Sequence, residues 1–179
     1  MANKKPRTAP RAPKKITQNY LENAALYYLQ RYATSAANLR TVLMRKVKRS
    51  CRHHEMEVSP FEPMVDALIA RYAQSGLIND ASYAQARATS LRRQGHSRKM
   101  IMAKLQEKGL ASAEIARALS GVDEDTGSDD PELAAAVAYV RRKRLGNLRR
   151  SGVNPQKDMA ALARAGFSYD VAKAALSVQ

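Results

Sequence analysis

The sequence predicts an all-α protein built as an elongated array of three tandem three-helix modules. Three observations predict it. Helix-start signals recur along the whole chain, apolar residues follow them at helical spacing with no alternating strand-like run, and one residue pattern repeats along the sequence.

The elements follow in order. Thr17 and Ser35 open helices over about 17–32 and 35–49, the second carrying Leu39, Val42 and Leu43 on one face. Ser59-Pro60-Phe61-Glu62 reads as a capping box with proline in the first turn, starting a helix over about 60–75. Asp80, Ser97 and Ser112 cap helices over about 80–94, 97–108 and 112–120. Asp130-Pro131 and Asn154-Pro155 repeat the cap-then-proline device for about 131–146 and 155–165, and Ser168 opens the last helix, about 168–177. Ser35, Leu39 and Leu43 recur at one constant spacing as Ser97, Ile101 and Leu105. Leu105, Gly109, Leu110 and Leu119 recur likewise as Leu162, Gly166, Phe167 and Leu176, with each glycine placed to end a helix. The modules are therefore 16–78, with a basic insertion over 46–59, then 79–122 and 131–179, preceded by a disordered basic tail 1–15. Leu39, Leu43, Ile101, Leu105, Leu162 and Phe167 are the expected core.

Net charge is +15 over 179 residues, and its distribution matters more than its sum. The tail 1–15 holds six basic and no acidic residues, while 123–132 holds six acidic and no basic ones, so 123–130 reads as an acidic, flexible linker. The excess that remains in the body predicts attraction to a polyanion or an acidic surface. It lies in three runs, one per module. The first contains Arg40, Arg45 and Lys46; the second Arg87, Arg92, Arg93, Arg98, Lys99 and Lys104; the third Arg141, Arg142, Arg144, Arg149 and Arg150. A stripe of this kind suits an extended partner, and contacts to phosphates would weaken with salt.

Other chemistry finds little support. Phosphate-loop, zinc-protease and nucleophile-elbow motifs are absent, which argues against an enzyme and implies no cofactor. Cys51, His53 and His54 lack a second ligand pair at metal-binding spacing, so the insertion reads as a solvated basic loop with no metal. The single cysteine fits a reducing compartment, and no apolar stretch approaches the roughly 20 residues of a membrane span. A cytoplasmic monomer with no membrane partner is expected. The corner "RRQGHSRK" (92–99) could belong to a helix-turn-helix transcription regulator, but Arg98, Lys99 and Met100 suit phosphates better than base edges. Tyrosines such as Tyr27, Tyr28 and Tyr83 sit beside apolar residues within helices, a pattern of core packing rather than base stacking.

Three segments resemble the RecX regulators of the bacterial RecA recombinase: "AALYYLQRYATSAANLRTVLMRKV" (24–47), "GLINDASYAQARATSLRRQGHSRKMIMAKLQEKGL" (76–110) and "ALARAGFSYDVAKAAL" (161–176). The resemblance spans about 20–179. It implies a curved helical array lying in the groove of the RecA–single-stranded DNA filament. There it would inhibit ATP hydrolysis and strand exchange and alter filament stability, regulating DNA repair and recombination. It also implies weak, sequence-independent binding of single- or double-stranded DNA.

Overall fold

Thr17 accepts the Tyr20 N–H through its hydroxyl, and from this cap α1 (Gln18–Leu29) begins. The structure is a computed structural model and describes residues 12–148, 152 and 154–178. It continues with α2 (Ala36–His54), a 3₁₀ turn (Ser59–Phe61) and α3 (Glu62–Gln74). Next come α4 (Asp80–Arg93), α5 (Arg98–Gln106) and α6 (Ser112–Asp125). The chain ends with α7 (Pro131–Lys143), a 3₁₀ turn (Gly146–Leu148), α8 (Pro155–Arg164) and α9 (Tyr169–Ser177). All regular structure among the described residues is helical.

Asp130, Asn154, Ser97 and Ser168 cap the helices that follow them, as their side chains predict. Three starts differ. Asn79, not Asp80, caps α4 by accepting the Ser82 N–H at 2.9 Å. Ser112 lies inside α6, where the Glu114 carboxylate instead reaches back to the Ala111 N–H at 3.2 Å. The Ser59 segment coils as a 3₁₀ turn before α3, and no side chain caps that helix.

The described residues form two compact units, one of 12–33 with 38–77 and one of 34–37 with those from 78 onward. In the first, Leu21, Leu39, Leu43, Val47 and Val65 are sealed from solvent. The expected loop after 49 is helical instead: α2 runs on to His54, with Ser50 and Cys51 buried. Their partners explain the extension. Ser50 donates to the Lys14 carbonyl at 2.8 Å, the Cys51 thiol faces the Glu57 carbonyl, and His54 Nε2 lies 2.9 Å from the Pro13 carbonyl. Pro13 and Lys14, assigned by sequence to the tail, are thereby fixed against α2; residues 1–11 lie outside the described ones.

The second unit holds two cores. Ile101, Leu105, Ile115 and Leu119 centre one; Val140, Leu162 and Phe167 centre the other. All six residues expected in the core are buried, Leu39, Leu43, Ile101 and Leu162 completely. Ile101→Ala should therefore cost about 2–5 kcal/mol in chemical denaturation, since the tightly packed site cannot collapse around the missing carbons.

Two joints in this unit share one design. Ser35 donates its hydroxyl to the Lys108 carbonyl, and the Ala36 N–H next to it donates to Asp80 Oδ1 at 2.8 Å. Ser97 donates to the Ala165 carbonyl at 2.6 Å, and the Arg98 N–H next to it reaches the Glu132 carboxylate at 3.2 Å. Each accepting carbonyl precedes a glycine, Gly109 or Gly166, whose missing Cβ makes room for Ala37 or Ser97. At the corresponding place in the last module stand Asn154 and Pro155, and proline has no N–H to donate.

Candidate polyanion-binding surface

The cations read from the sequence separate into two groups. In the first unit, Arg45 points to solvent and Lys46 is half-buried, and neither has an ion-pair partner among the described residues. Arg40 is different: its guanidinium meets both Asp66 oxygens, with Nε to Oδ1 at 2.6 Å. That bond is the main cause holding the arginine's pKa up and the carboxylate's down. The pair is solvent-exposed, so it contributes little to stability but partly neutralises Arg40 for any outside anion.

In the second unit, Arg87, Arg93, Lys99, Arg141, Arg142 and Arg144 are exposed and Lys104 half-buried, again without ion pairs among the described residues. Positions 141–144 gather at the end of α7, where cations complement the helix dipole, and Arg144 ends the helix with a φ of 52°. Arg142 also lies over the Tyr139 ring, 5.5 Å from its centre. His96 titrates below its usual range, first because it is partly buried and then because Arg142, Lys104 and Arg87 repel its protonated form. Three cations from α4, α5 and α7 therefore act on one point of the surface. Arg149 and Arg150 lie outside the described residues.

Arg92 corrects the reading from sequence. Its side chain is only 6% exposed, and its guanidinium is spent inside the unit. Nε and Nη2 clasp both Asp123 oxygens at 2.8 and 3.0 Å, and Nη1 reaches Glu132 Oε2 at 2.6 Å and the His96 carbonyl at 3.2 Å. Burial, the largest single influence on its pKa, pulls down, but these bonds together outweigh it and the pKa rises. Arg98 is shared: its side chain, 44% exposed, reaches Asp123 at 3.5 Å while its N–H binds Glu132. The acidic segment is correspondingly less of a free linker than its composition implies. Residues 123–125 complete α6, Asp130 and Glu132 open α7, and Asp123 and Glu132 hold arginines rather than facing water alone.

The same contacts bear on the helix-turn-helix reading. A reading helix needs its first turn free for base edges. Here Ser97 and the Arg98 N–H are bound to Ala165 and Glu132, and Gly166 packs against Ser97 and Lys99.

Sequence reasoning places Tyr83 rightly but Tyr27 wrongly. Tyr72 is buried and Tyr83 packs on a core, but Tyr27 and Tyr32 are each 56% exposed. The Arg31 guanidinium lies 4.0 Å from the Tyr27 ring centre, and Tyr28 stacks on Tyr32 at a tilt while its hydroxyl accepts from Asn38. Arg31, one helical turn on from Tyr27, is the signal in the sequence that marks this face as polar. Among the described residues no group of three or more histidine, cysteine or acidic side chains could hold a metal, and no helix is long and apolar enough to cross a membrane.

Comparison with known proteins places this architecture. The family model for the second three-helix domain of RecX matches residues 79–119, which hold α4 to most of α6. Regulatory protein RecX of Myxococcus xanthus is 41% identical over 175 residues, covering 96% of this chain and 91% of that protein. Regulatory protein RecX of Agrobacterium fabrum is 29% identical over 160 residues, covering 86% of this chain and 79% of that protein. The crystal structure of RecX from Lactobacillus salivarius superposes with a TM-score of 0.60 at 22% identity, covering 90% of this chain and 97% of that one. With helical modules, joints and a near full-length relative in agreement, the chain belongs to the RecX family of regulatory proteins.

Proposed function

We propose that this protein is a non-enzymatic regulator that docks in the groove of the RecA–single-stranded DNA filament. There it inhibits ATP hydrolysis and strand exchange, and in this way regulates DNA repair and recombination. The observation that carries the reading is the set of exposed cations without ion pairs among the described residues: Arg45 in the first unit, and Arg87, Arg93, Lys99, Arg141 and Arg142 in the second. A basic side chain already paired with a carboxylate offers an outside anion little, whereas an unpaired one gains both Coulomb energy and counterion release. Membership in the RecX family supports RecA as the partner, and the exposed cations would be the means of holding an acidic filament surface or its DNA.

The test is the single-stranded-DNA-dependent ATPase of RecA. Wild-type protein at a stoichiometric ratio to RecA should suppress it at low salt and lose its effect as salt rises. A variant with Arg87, Arg93, Lys99 and Arg141 all changed to alanine should need at least about ten times more protein for the same suppression, with unchanged helicity, because four charge contacts are lost. Wild-type potency in that variant would mean that these side chains merely solvate the helices.

A further inference from the structure

A second feature of the first unit points to nucleic acid directly. A groove of about 490 Å³ is lined by Lys14, Lys15 and Lys46, by Tyr20 and Tyr27, and by small or amide side chains including Asn19 and Asn23. No carboxylate lines it. Its size lies within the roughly 300–1,000 Å³ of small-ligand clefts.

The groove is built rather than incidental. Its lysines stand on a segment pinned in place: Ser50 holds the Lys14 carbonyl, His54 meets the Pro13 carbonyl, and Ile16 is buried. Lys46 comes from α2 and faces this segment across the groove. Tyr27 is 56% exposed, and the Arg31 guanidinium lies over its ring 4.0 Å from the centre. Asn19 and Asn23 bond to each other through their amides at 2.9 Å, which leaves further donors and acceptors on both.

We propose that this groove binds single-stranded nucleic acid, with a base stacked at Tyr27 and the backbone phosphates held by Lys14, Lys15 and Lys46. Three physical features favour a single strand. An aromatic ring can stack only on a base released from pairing, the amides can bond to base edges without fixing one sequence, and the lysines track a phosphate chain. A duplex offers the lysines the same charge but gives Tyr27 nothing to stack on. The site needs no recombinase, so it stands or falls separately from the filament reading.

The chain contains no tryptophan, so Tyr27→Trp places the sole indole at the site. The full-length protein is titrated into a labelled oligothymidylate of about 20 nucleotides and into a duplex of equal length, read by anisotropy and, for the tryptophan variant, by indole emission. Tyr27→Ala should weaken single-strand binding roughly ten-fold, within the range of one lost stacking contact. Lys46→Ala should flatten the salt dependence by about 0.7 in log–log slope. Tyr27→Trp should bind like the wild type and lose emission as the single strand binds, with far weaker quenching by the duplex. Tyr27→Ala binding within two-fold of wild type, or an unquenched indole while anisotropy reports a bound single strand, overturns the proposal. Equal quenching by duplex overturns its restriction to single strands.

Discussion

Changing Gly95 to alanine is expected to lower stability by about 2–4 kcal/mol, a fall in thermal midpoint of roughly 5–15 °C for a chain of this length. Gly95 forms the turn between α4 and α5 with a φ of +73°, where its N–H donates to the Arg92 carbonyl at 2.8 Å. The left-handed backbone alone disfavours a side chain. The larger part of the effect is steric, because a Cβ there would stand 2.5 Å from the Tyr139 nitrogen and 2.8 Å from the Ala135 carbonyl oxygen. Both atoms belong to the backbone of α7, which cannot yield as a flexible side chain would. Gly76→Ala is the matched control. Gly76 has a φ of +74°, but nothing lies within 4 Å of where its Cβ would stand, so only the conformational cost of about 1 kcal/mol should appear in the same melt.

The second large effect separates two adjacent arginines. Arg92→Ala removes the main partner of Asp123 and Glu132 and should cost about 3–5 kcal/mol, because it leaves these partly buried carboxylates only the 3.5 Å contact of Arg98 with Asp123 and the Arg98 N–H at Glu132. Arg92→Lys keeps the charge but not the planar fork that meets both Asp123 oxygens, so it should recover only part of the loss. Arg93→Ala, one residue on and exposed, should change stability by no more than about 0.5 kcal/mol. Denaturant melts of the three variants decide this. Equal stability of the Arg92 and Arg93 alanine variants would show that the buried cluster contributes nothing.

Much of the fold is legible because helices announce themselves locally. Caps, prolines in first turns and apolar spacing are short-range signals, and they locate nine helices among the described residues together with six core residues, with starts misplaced by a residue or two at Ser59, Asp80 and Ser112. The repeat is legible too, but not its meaning. Ser35 and Ser97 read as caps and Gly109 and Gly166 as helix ends, each explained by its own neighbours. In space each serine meets the carbonyl beside the following module's glycine, so the repeat marks a joint that local patterns do not encode.

The site is harder to see for the same reason. Basic residues in a run look alike, and only the placement of Asp123 and Glu132, 31 and 40 residues away, turns Arg92 inward while Arg93 stays in solvent. The end of α2 escapes a reading of the sequence because its buried Ser50 and Cys51 are explained by the Lys14 and Glu57 carbonyls, partners outside the helix. Tyr27 reads as a core residue because its neighbours on α1 are apolar. Its exposure depends on the direction it takes from the helix, and Arg31, one turn on, is the residue that supports it there.

The most direct measurement is co-sedimentation of the wild-type protein with preassembled RecA filaments on single-stranded DNA, at low salt and at a salt concentration several times higher. Binding through exposed cations predicts that the protein pellets with the filaments at low salt, that the bound fraction falls steeply as salt rises, and that ATPase activity recovers in step. Protein that stays in the supernatant at stoichiometric ratio and low salt, with the ATPase unchanged, would contradict it.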